Sequence, residues 1–188
     1  MRVKSEAMYY NASALHGVAP LAVHEGDFTY GQQVTLKVDH WQDGWVGPGN
    51  TGPLALGGNG ANVYEENLKY GYRGRLAVGD IVDTEPGDMV GKTHSAVQYR
   101  LAACPHTPKC TIQHWERGCP RILTVPICET HGQKSGRTTL RVKGFAAFLI
   151  ESCSEKGEIT GRFIRLVTTG EGDNTAPGYG VTVVRLIV

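Results

Sequence analysis

The chain has 188 residues, of which 19 are Lys or Arg and 18 are Asp or Glu, so its formal net charge at pH 7 is +1. This length suits a single domain with a sizeable core, and we treat residues 1–188 as one β-rich domain. The balanced charge, without a run of one sign, excludes the electrostatic footprint of a nucleic-acid-binding protein. The 25 glycines favour a turn-rich β protein over a helical one.

The first part of the chain predicts strands separated by loops. Residues 3–10 mix β-forming and polar side chains and predict a first strand. Pro20 excludes the apolar segment 17–23 from the middle of a sheet, because proline cannot donate a ladder hydrogen bond. Gln33–Val38 alternates polar and apolar residues, which predicts a half-buried strand. The Gly- and Pro-rich stretch 39–60 predicts a long surface loop.

A first short helix is predicted over residues 64–70. Asn59 or Asn62 would cap it, since a side-chain oxygen there satisfies free backbone amides of the first turn. Gly71 marks its end.

A strand at 75–82 and a second helix follow. Asp88 would cap this helix, and the prolines of the next loop, Pro105 and Pro108, prevent it from continuing. Its apolar face, at spacings of three or four residues, is predicted to comprise Val90, His94, Val97 and Leu101.

The second half of the chain is richest in strand signals. Four β-branched or aromatic-rich segments are bounded by turn residues, at 121–128, 140–150, 158–167 and 180–188. The turn at 154–157 joins the second and third of these as a hairpin, and antiparallel pairing is expected because no helix separates the four. The predicted fold class is therefore mainly β, an antiparallel sheet or sandwich, with two short helices and the long loop 39–60.

Three of the five cysteines lie in the short loop 104–120. A Cys110–Cys119 disulfide would close a loop of about ten residues and stabilise the protein by roughly 2–3 kcal/mol. A zinc site is the alternative, with Cys104, Cys110, Cys119 and either His106 or His114 as ligands. The Cys-x5-Cys and Cys-x8-Cys spacings differ from the tight knuckles of common zinc motifs, so the sequence favours the disulfide and predicts no bound metal or other cofactor.

The remaining cysteines leave the connectivity open. Cys104 and Cys128 flank the loop and would pair with each other or exchange partners with Cys110 and Cys119. Cys153, at the end of a predicted strand, is the best candidate for a free thiol or for a link between subunits.

No set of catalytic residues is recognisable. The seven histidines are scattered, and neither a Gly-x-Ser-x-Gly elbow nor a His-Glu-x-x-His pair occurs. We therefore expect no enzymatic activity. Two alternatives stay open: a glycan- or small-molecule-binding module that uses Trp41 and Trp45, and an enzyme with a metal in the cysteine loop.

Several short motifs occur in an order that is informative as a set. They are Gly31 with Thr35–Lys37, Gly47–Leu56, Asn67–Gly71, Val78–Met89, Cys119–Pro126 and Gly180–Leu186. From about Gly17 to the carboxyl end, this order resembles the extracellular domain of the TadE/TadG-like Flp pilus-assembly proteins of Gram-positive bacteria.

The resemblance implies a non-enzymatic, extracellular β-rich domain of the cell surface that works with other pilus or filament subunits or with copies of itself. The family normally carries an amino-terminal membrane helix and a helical stalk. Neither is found in this sequence, where no stretch approaches the roughly 18 apolar residues of a membrane span. Two expectations stay open: the anchor or export signal has been removed, which is the simpler one, or the chain is a free-standing secreted relative that uses the same fold differently. The carboxyl-terminal strand would link subunits by strand exchange, with contacts at Val181, Val183, Leu186 and Val188.

Overall fold

The computed structural model describes residues 6–26, 28–38, 50–135 and 137–187. Within these ranges the chain forms twelve strands and two helices, which confirms the prediction of a mainly β fold. The strands are β1 Glu6–Leu15, β2 Leu21–His24, β3 Gln33–Val38, β4 Asn50–Pro53, β5 Leu76–Ala77, β6 Ile81–Asp83, β7 Ile122–Lys134, β8 Arg137–Cys153, β9 Glu158–Ile164, β10 Leu166–Thr168, β11 Glu171–Asp173 and β12 Val181–Ile187. The helices are α1 Ala61–Tyr70 and α2 Val90–Ala102.

The larger sheet has seven strands in the order β6-β8-β7-β2-β4-β3-β9. Because β9 also pairs with β8, six of these strands close into a hydrogen-bonded ring and β6 is attached outside it. The predicted hairpin is confirmed: β8 and β9 are antiparallel and joined by a turn in which the Gly157 amide donates to the Ser154 carbonyl. The β2–β7 and β3–β4 pairs are parallel, so this sheet is mixed rather than wholly antiparallel.

The smaller sheet has the order β10-β12-β1-β11, with β5 added to β1. Strand β12 pairs with β1 from Thr182 to Ile187 and with β10 from Val181 to Val183. Val181 and Val183 are each 1% exposed, so they belong to the core of their own chain. In this arrangement neither side chain is exposed for contact with another subunit, and the expectation of strand exchange stays a prediction. The Leu186 side chain and Val188 lie outside what the structure describes.

Alternate residues of β8 face two separate apolar clusters, as the period of a strand requires. Phe145, Ala147 and Leu149 pack with β1, β10 and β12 of the smaller sheet. Phe148 and Ile150 pack in a second cluster with residues of β2, β3, β7 and β9 and with the buried faces of both helices. One face of β8 is therefore covered by the smaller sheet, and the cluster on its other face is shared by strands of the ring and by both helices.

Helix α1 begins after Gly60, whose amide donates to Glu85 Oε2 at 3.0 Å. The predicted Asn59 or Asn62 cap is therefore wrong, because no side-chain cap is formed and a carboxylate distant in sequence binds the amide of the capping residue instead. The predicted end at Gly71 is confirmed; φ is +84° there, a conformation that favours glycine.

Helix α2 begins beside Asp88, whose Oδ1 accepts a hydrogen bond from the Val90 amide at 2.9 Å. Its buried residues are Thr93, Ala96, Val97 and Arg100, a face rotated by about one residue from the predicted one. The reason is a polar contact: Thr93 faces α1, where its hydroxyl is hydrogen-bonded to the Tyr64 hydroxyl at 2.8 Å.

One further prediction is wrong. Pro20 comes just before β2, which lies between β4 and β7, so the exclusion of this segment from the middle of a sheet is wrong for Leu21–Val23. The predicted loop 39–60 contains strand β4, and its residues 39–49, with Trp41 and Trp45, lie outside the described residues.

Among the described residues, no helix is both long and apolar enough to cross a membrane.

Candidate metal centre

The cysteine loop runs from the end of α2 to the start of β7 and folds back on itself. Two hydrogen bonds between the backbones of Thr111 and His114, at 2.8 and 3.1 Å, form a tight reversal in its middle. A second turn follows, in which the Cys119 amide donates to the Glu116 carbonyl at 3.1 Å. These turns return Cys119 to the beginning of the loop.

The result is a cluster of four possible metal ligands, Cys104, His106, Cys110 and Cys119. Their donor atoms all lie within 4.8 Å of one another. Cys119 Sγ is 3.4 Å from Cys104 Sγ, and His106 Nδ1 is 3.2 Å from Cys110 Sγ and 3.7 Å from Cys104 Sγ. All three cysteines are buried and His106 is half-buried.

These separations fit tetrahedral coordination of a metal ion. With Zn–S bonds of about 2.3 Å and Zn–N bonds of about 2.0–2.1 Å, the edges of a regular tetrahedron are roughly 3.8 Å between two sulfurs and roughly 3.6 Å between sulfur and nitrogen. The three measured separations lie within about half an ångström of those edges. The other separations are no longer than 4.8 Å, at most about 1 Å beyond those edges. The cluster therefore has the donor set of a Cys3His zinc site and would need only a small contraction to bind the ion.

The same distances do not describe disulfides. All five cysteines are free thiols in the structure, and the 3.4 Å between Cys104 and Cys119 sulfurs exceeds the disulfide bond length of about 2.05 Å. The predicted Cys110–Cys119 bridge is thus not formed here. The structure instead brings Cys110 and Cys119 together with Cys104 and His106.

The other two cysteines lie apart from this cluster of ligands. Cys128 is on β7, where complete burial raises the pKa of its thiol. Cys153, the predicted free thiol, is at the end of β8 and half-buried, and burial raises its pKa to about 11. Neither thiol is part of the four-residue group, which is the one such cluster found in the described part of the chain.

The two sulfurs in closest contact have opposite pKa shifts. Burial disfavours the Cys104 thiolate, but the backbone amides of Cys110 and His106 and the side chains of His106 and Cys119 outweigh it and lower the pKa to about 6. Burial raises the pKa of Cys119 to about 12, and the adjacent sulfurs of Cys104 and Cys110 contribute to the increase. Without a cation the cluster favours one thiolate, because a second negative charge at this distance is repelled.

Basic side chains attach this loop to the rest of the protein. Arg121 Nη1 donates to the Cys110 carbonyl at 3.2 Å, and Lys109 Nζ donates to the Cys104 carbonyl. From α2, Arg100 Nη1 donates to the Pro120 carbonyl at 2.9 Å. Three thiolates and a neutral imidazole around a divalent cation carry a net charge of −1, so Lys109 and Arg121 also supply compensating positive charge.

The sequence offered His106 and His114 as alternative ligands, and the structure selects His106. His114 is exposed, and its Nε2 lies 3.8 Å from Glu116 Oε1. The informative signal in the sequence was that His106 comes two residues after Cys104, because alternate residues of an extended segment point to the same side. The spacing to Cys119 carried no such signal, since the turn at Thr111–His114 determines its position.

The fold and the site together define a mainly β protein with a closed, four-ligand thiolate–imidazole cluster in a loop. Comparisons with models of known families, with curated proteins and with solved structures find no match to this chain.

Proposed function

We propose that Cys104, His106, Cys110 and Cys119 hold a structural Zn²⁺ ion, and that the protein is a non-enzymatic structural or assembly component of the bacterial cell surface. The observation that carries the proposal is the convergence of four protein donors at tetrahedral spacing. Thiolate and imidazole are ligands that zinc prefers, and a Cys3His set is a common structural zinc site.

The closed ligand set supports a structural role for the metal over a catalytic one. A catalytic zinc ion keeps one coordination position for water or substrate, whereas four protein donors fill the tetrahedron. The cysteines are also 1–2% exposed and belong to an apolar cluster against which Ile112, Trp115 and Ile122 pack, which limits the approach of a substrate. This arrangement favours a metal that fixes the loop over the alternative of a metal enzyme.

The surface role is supported by the ordered motifs that resemble the TadE/TadG-like pilus-assembly proteins. The cysteine loop does not add to that support, because thiolates bound to zinc need no oxidising compartment. Since Val181 and Val183 are buried within the chain, assembly would use other surfaces than these two side chains.

Deletion of the gene from the bacterium that carries it tests the surface role. Electron microscopy should show loss or shortening of surface filaments, and an epitope-tagged chain should be found in the cell-envelope or secreted fraction. Complementation with Cys153→Ser should restore the filaments, whereas Cys119→Ser, which removes a ligand, should not. Unchanged filaments together with a tagged chain confined to the cytoplasm would contradict the surface role and leave the zinc site to be judged by metal content.

A further inference from the structure

A second candidate site lies beside the cysteine loop, in an open cavity of about 450 Å³. The carboxyl-terminal ends of α1 and α2 form one side of it, and Gly118–Pro120 of the loop forms part of the other. Its volume falls in the range of small-molecule sites, which is roughly 300–1,000 Å³.

The cavity is lined by basic side chains without an acidic one. Arg100, Arg117, Lys69 and His16 line it, and no Asp or Glu does. A cavity near α2 gives the contrast, because there Lys37 and Lys156 are accompanied by Asp88 and Glu158. A concave surface of one charge sign concentrates ligands of the opposite sign.

Arg100 gives the cavity a buried positive charge. The residue is 7% exposed, and none of the ion pairs among the described residues includes it. Its Nε donates to the Leu68 carbonyl and its Nη1 to the carbonyls of Pro120 and Ile122, while Nη2 has no hydrogen-bond partner among the residues the structure describes. A buried guanidinium with a remaining donor and no counter-ion is a site where an anion gains both charge and hydrogen-bond stabilisation.

Two of the other basic side chains already have partners within the protein. Lys69 forms an ion pair with Glu65 at 2.7 Å and lies in the last turn of α1, where a cation also offsets the helix dipole. His16 uses Nδ1 to contact the Arg73 carbonyl at 3.0 Å. Arg117 has neither kind of partner among the described residues and is exposed on the loop. Arg100 and Arg117 are thus the two charges best placed for a ligand.

Two exposed aromatic rings also line the cavity. Tyr70 and Tyr99 are 58% and 43% exposed, and their rings form an edge-to-face pair with centroids 5.4 Å apart. Both residues line the cavity. Aromatic rings beside a cationic floor suit an organic anion with a ring-sized body better than a bare inorganic ion.

We propose that this cavity binds a small organic oxyanion, a carboxylate or phosphate group on a sugar-sized body, with Arg100 and Arg117 contacting the charged group and Tyr70 and Tyr99 contacting the body. The loop that carries Cys119 forms one wall, and the Arg100–Pro120 hydrogen bond connects the wall to α2. The cavity adjoins the cluster of metal ligands, since Cys119 belongs to the cluster and also lines the cavity.

Isothermal titration calorimetry of the full-length protein, with its zinc content measured in the same sample, tests the proposal. The probes are glucuronate, glucose 6-phosphate and glucose, which share a ring and differ in charge. Binding of either anion and not of glucose supports the site, and the anion that binds identifies carboxylate or phosphate as the recognised group. Failure of both anions to bind at millimolar concentration, or equal binding of glucose, overturns it.

Variants then place the binding in this cavity. Arg117→Gln should lower the affinity for the anion about tenfold or more, because a charge-assisted hydrogen bond is lost, and Arg117→Glu should lower it further. Lys156→Gln, which removes an equally exposed positive charge elsewhere, should leave the affinity unchanged. Equal effects of Arg117→Gln and Lys156→Gln would show general attraction to a basic surface and overturn the site. Since these variants spare all four metal ligands, their zinc content should equal that of wild type.

Discussion

Cys119 Sγ lies 3.4 Å from Cys104 Sγ, although 14 residues separate the two cysteines in the chain. This separation is longer than a disulfide bond and close to the distance between two sulfur ligands of one zinc ion. With His106 and Cys110 at similar distances, the contact identifies a four-donor cluster rather than a covalent bridge.

The first prediction concerns metal content. Wild-type protein purified without chelator should contain one zinc ion per chain, measured by inductively coupled plasma mass spectrometry, and Cys119→Ser should contain almost none. Because metal binding contributes to folding free energy, the ligand variant should lose about 3 kcal/mol or more of stability, a decrease in Tm of roughly 6–12 °C.

Cys153→Ser is the matched control for that prediction, since Cys153 is a half-buried thiol outside the four-residue group. It should bind zinc as wild type does, and its stability should change little. Intact mass spectrometry under native and denaturing conditions separates the two states of the loop. A metal-free chain whose mass is about two units low for one disulfide would contradict the zinc site.

The strands of the second half were predictable because their signals are local. β-branched and aromatic residues bounded by turns marked β7, β8, β9 and β12, and the short turn at 154–157 dictated the β8–β9 hairpin. The parallel pairing of β2 with β7 was not predictable, since it joins Val23 to Ile127 across about a hundred residues. Pro20 also misled the prediction: it precedes the strand, so it removes no hydrogen bond from the ladder.

The four-donor cluster shows the same limit at a smaller scale. The sequence supplied the right four residues as one option, but the wide spacing of the cysteines favoured a disulfide. Spacing is informative when a tight knuckle alone brings ligands together, whereas here the reversal at Thr111–His114 does so. The basic cavity had no sequence signal, because Arg100 on α2 and Arg117 on the loop meet only in the folded protein.

A second prediction concerns the contact between the helices. The buried hydroxyls of Tyr64 and Thr93 are 2.8 Å apart, so Tyr64→Phe should leave the Thr93 hydroxyl without its partner and destabilise the protein by about 1–2 kcal/mol. Thr93→Val should cost a similar amount. The double variant should be less destabilised than the sum of the two, with a coupling of about 1 kcal/mol in chemical denaturation.

Tyr9→Phe is the control for loss of a tyrosine hydroxyl, because Tyr9 is 61% exposed and water replaces any contact. It should change the free energy of unfolding by less than about 0.5 kcal/mol. Strict additivity of Tyr64→Phe and Thr93→Val would show that the two hydroxyls do not interact.

A third prediction compares two glycines. A Cβ atom on Gly161 of β9 would lie 2.2 Å from the Leu149 carbonyl oxygen and 2.7 Å from the Phe148 ring, and the carbonyl belongs to the adjacent strand. Gly161→Ala should therefore destabilise the protein by about 3 kcal/mol. Gly91 of α2 has open space around that position, so Gly91→Ala should stabilise by about 0.5 kcal/mol through helix propensity. Thermal denaturation of both variants measures the difference, and a tolerated Gly161→Ala would refute the close approach of β8 and β9.

The last prediction follows from Glu65, which connects the two helices. Its carboxylate accepts hydrogen bonds from Lys69 at 2.7 Å, Lys92 at 2.6 Å and Ser95 at 2.7 Å, and these lower its pKa from 4.5 to about 2. A depressed pKa in the folded state stabilises the protein above the unfolded value, and the benefit is lost as pH falls from 4.5 towards 2. Glu65→Gln should thus lower the free energy of unfolding by about 1 kcal/mol near neutral pH, where solvent screening limits the ion pairs, and by almost nothing in strong acid.

Urea denaturation near neutral pH and in strong acid should show the stabilities of Glu65→Gln and wild type becoming equal in acid. Glu66→Gln, at the exposed neighbouring position, should match wild type at both pH values. A difference between Glu65→Gln and wild type that persists in strong acid would mean that the residue stabilises the helix pair by packing rather than by charge.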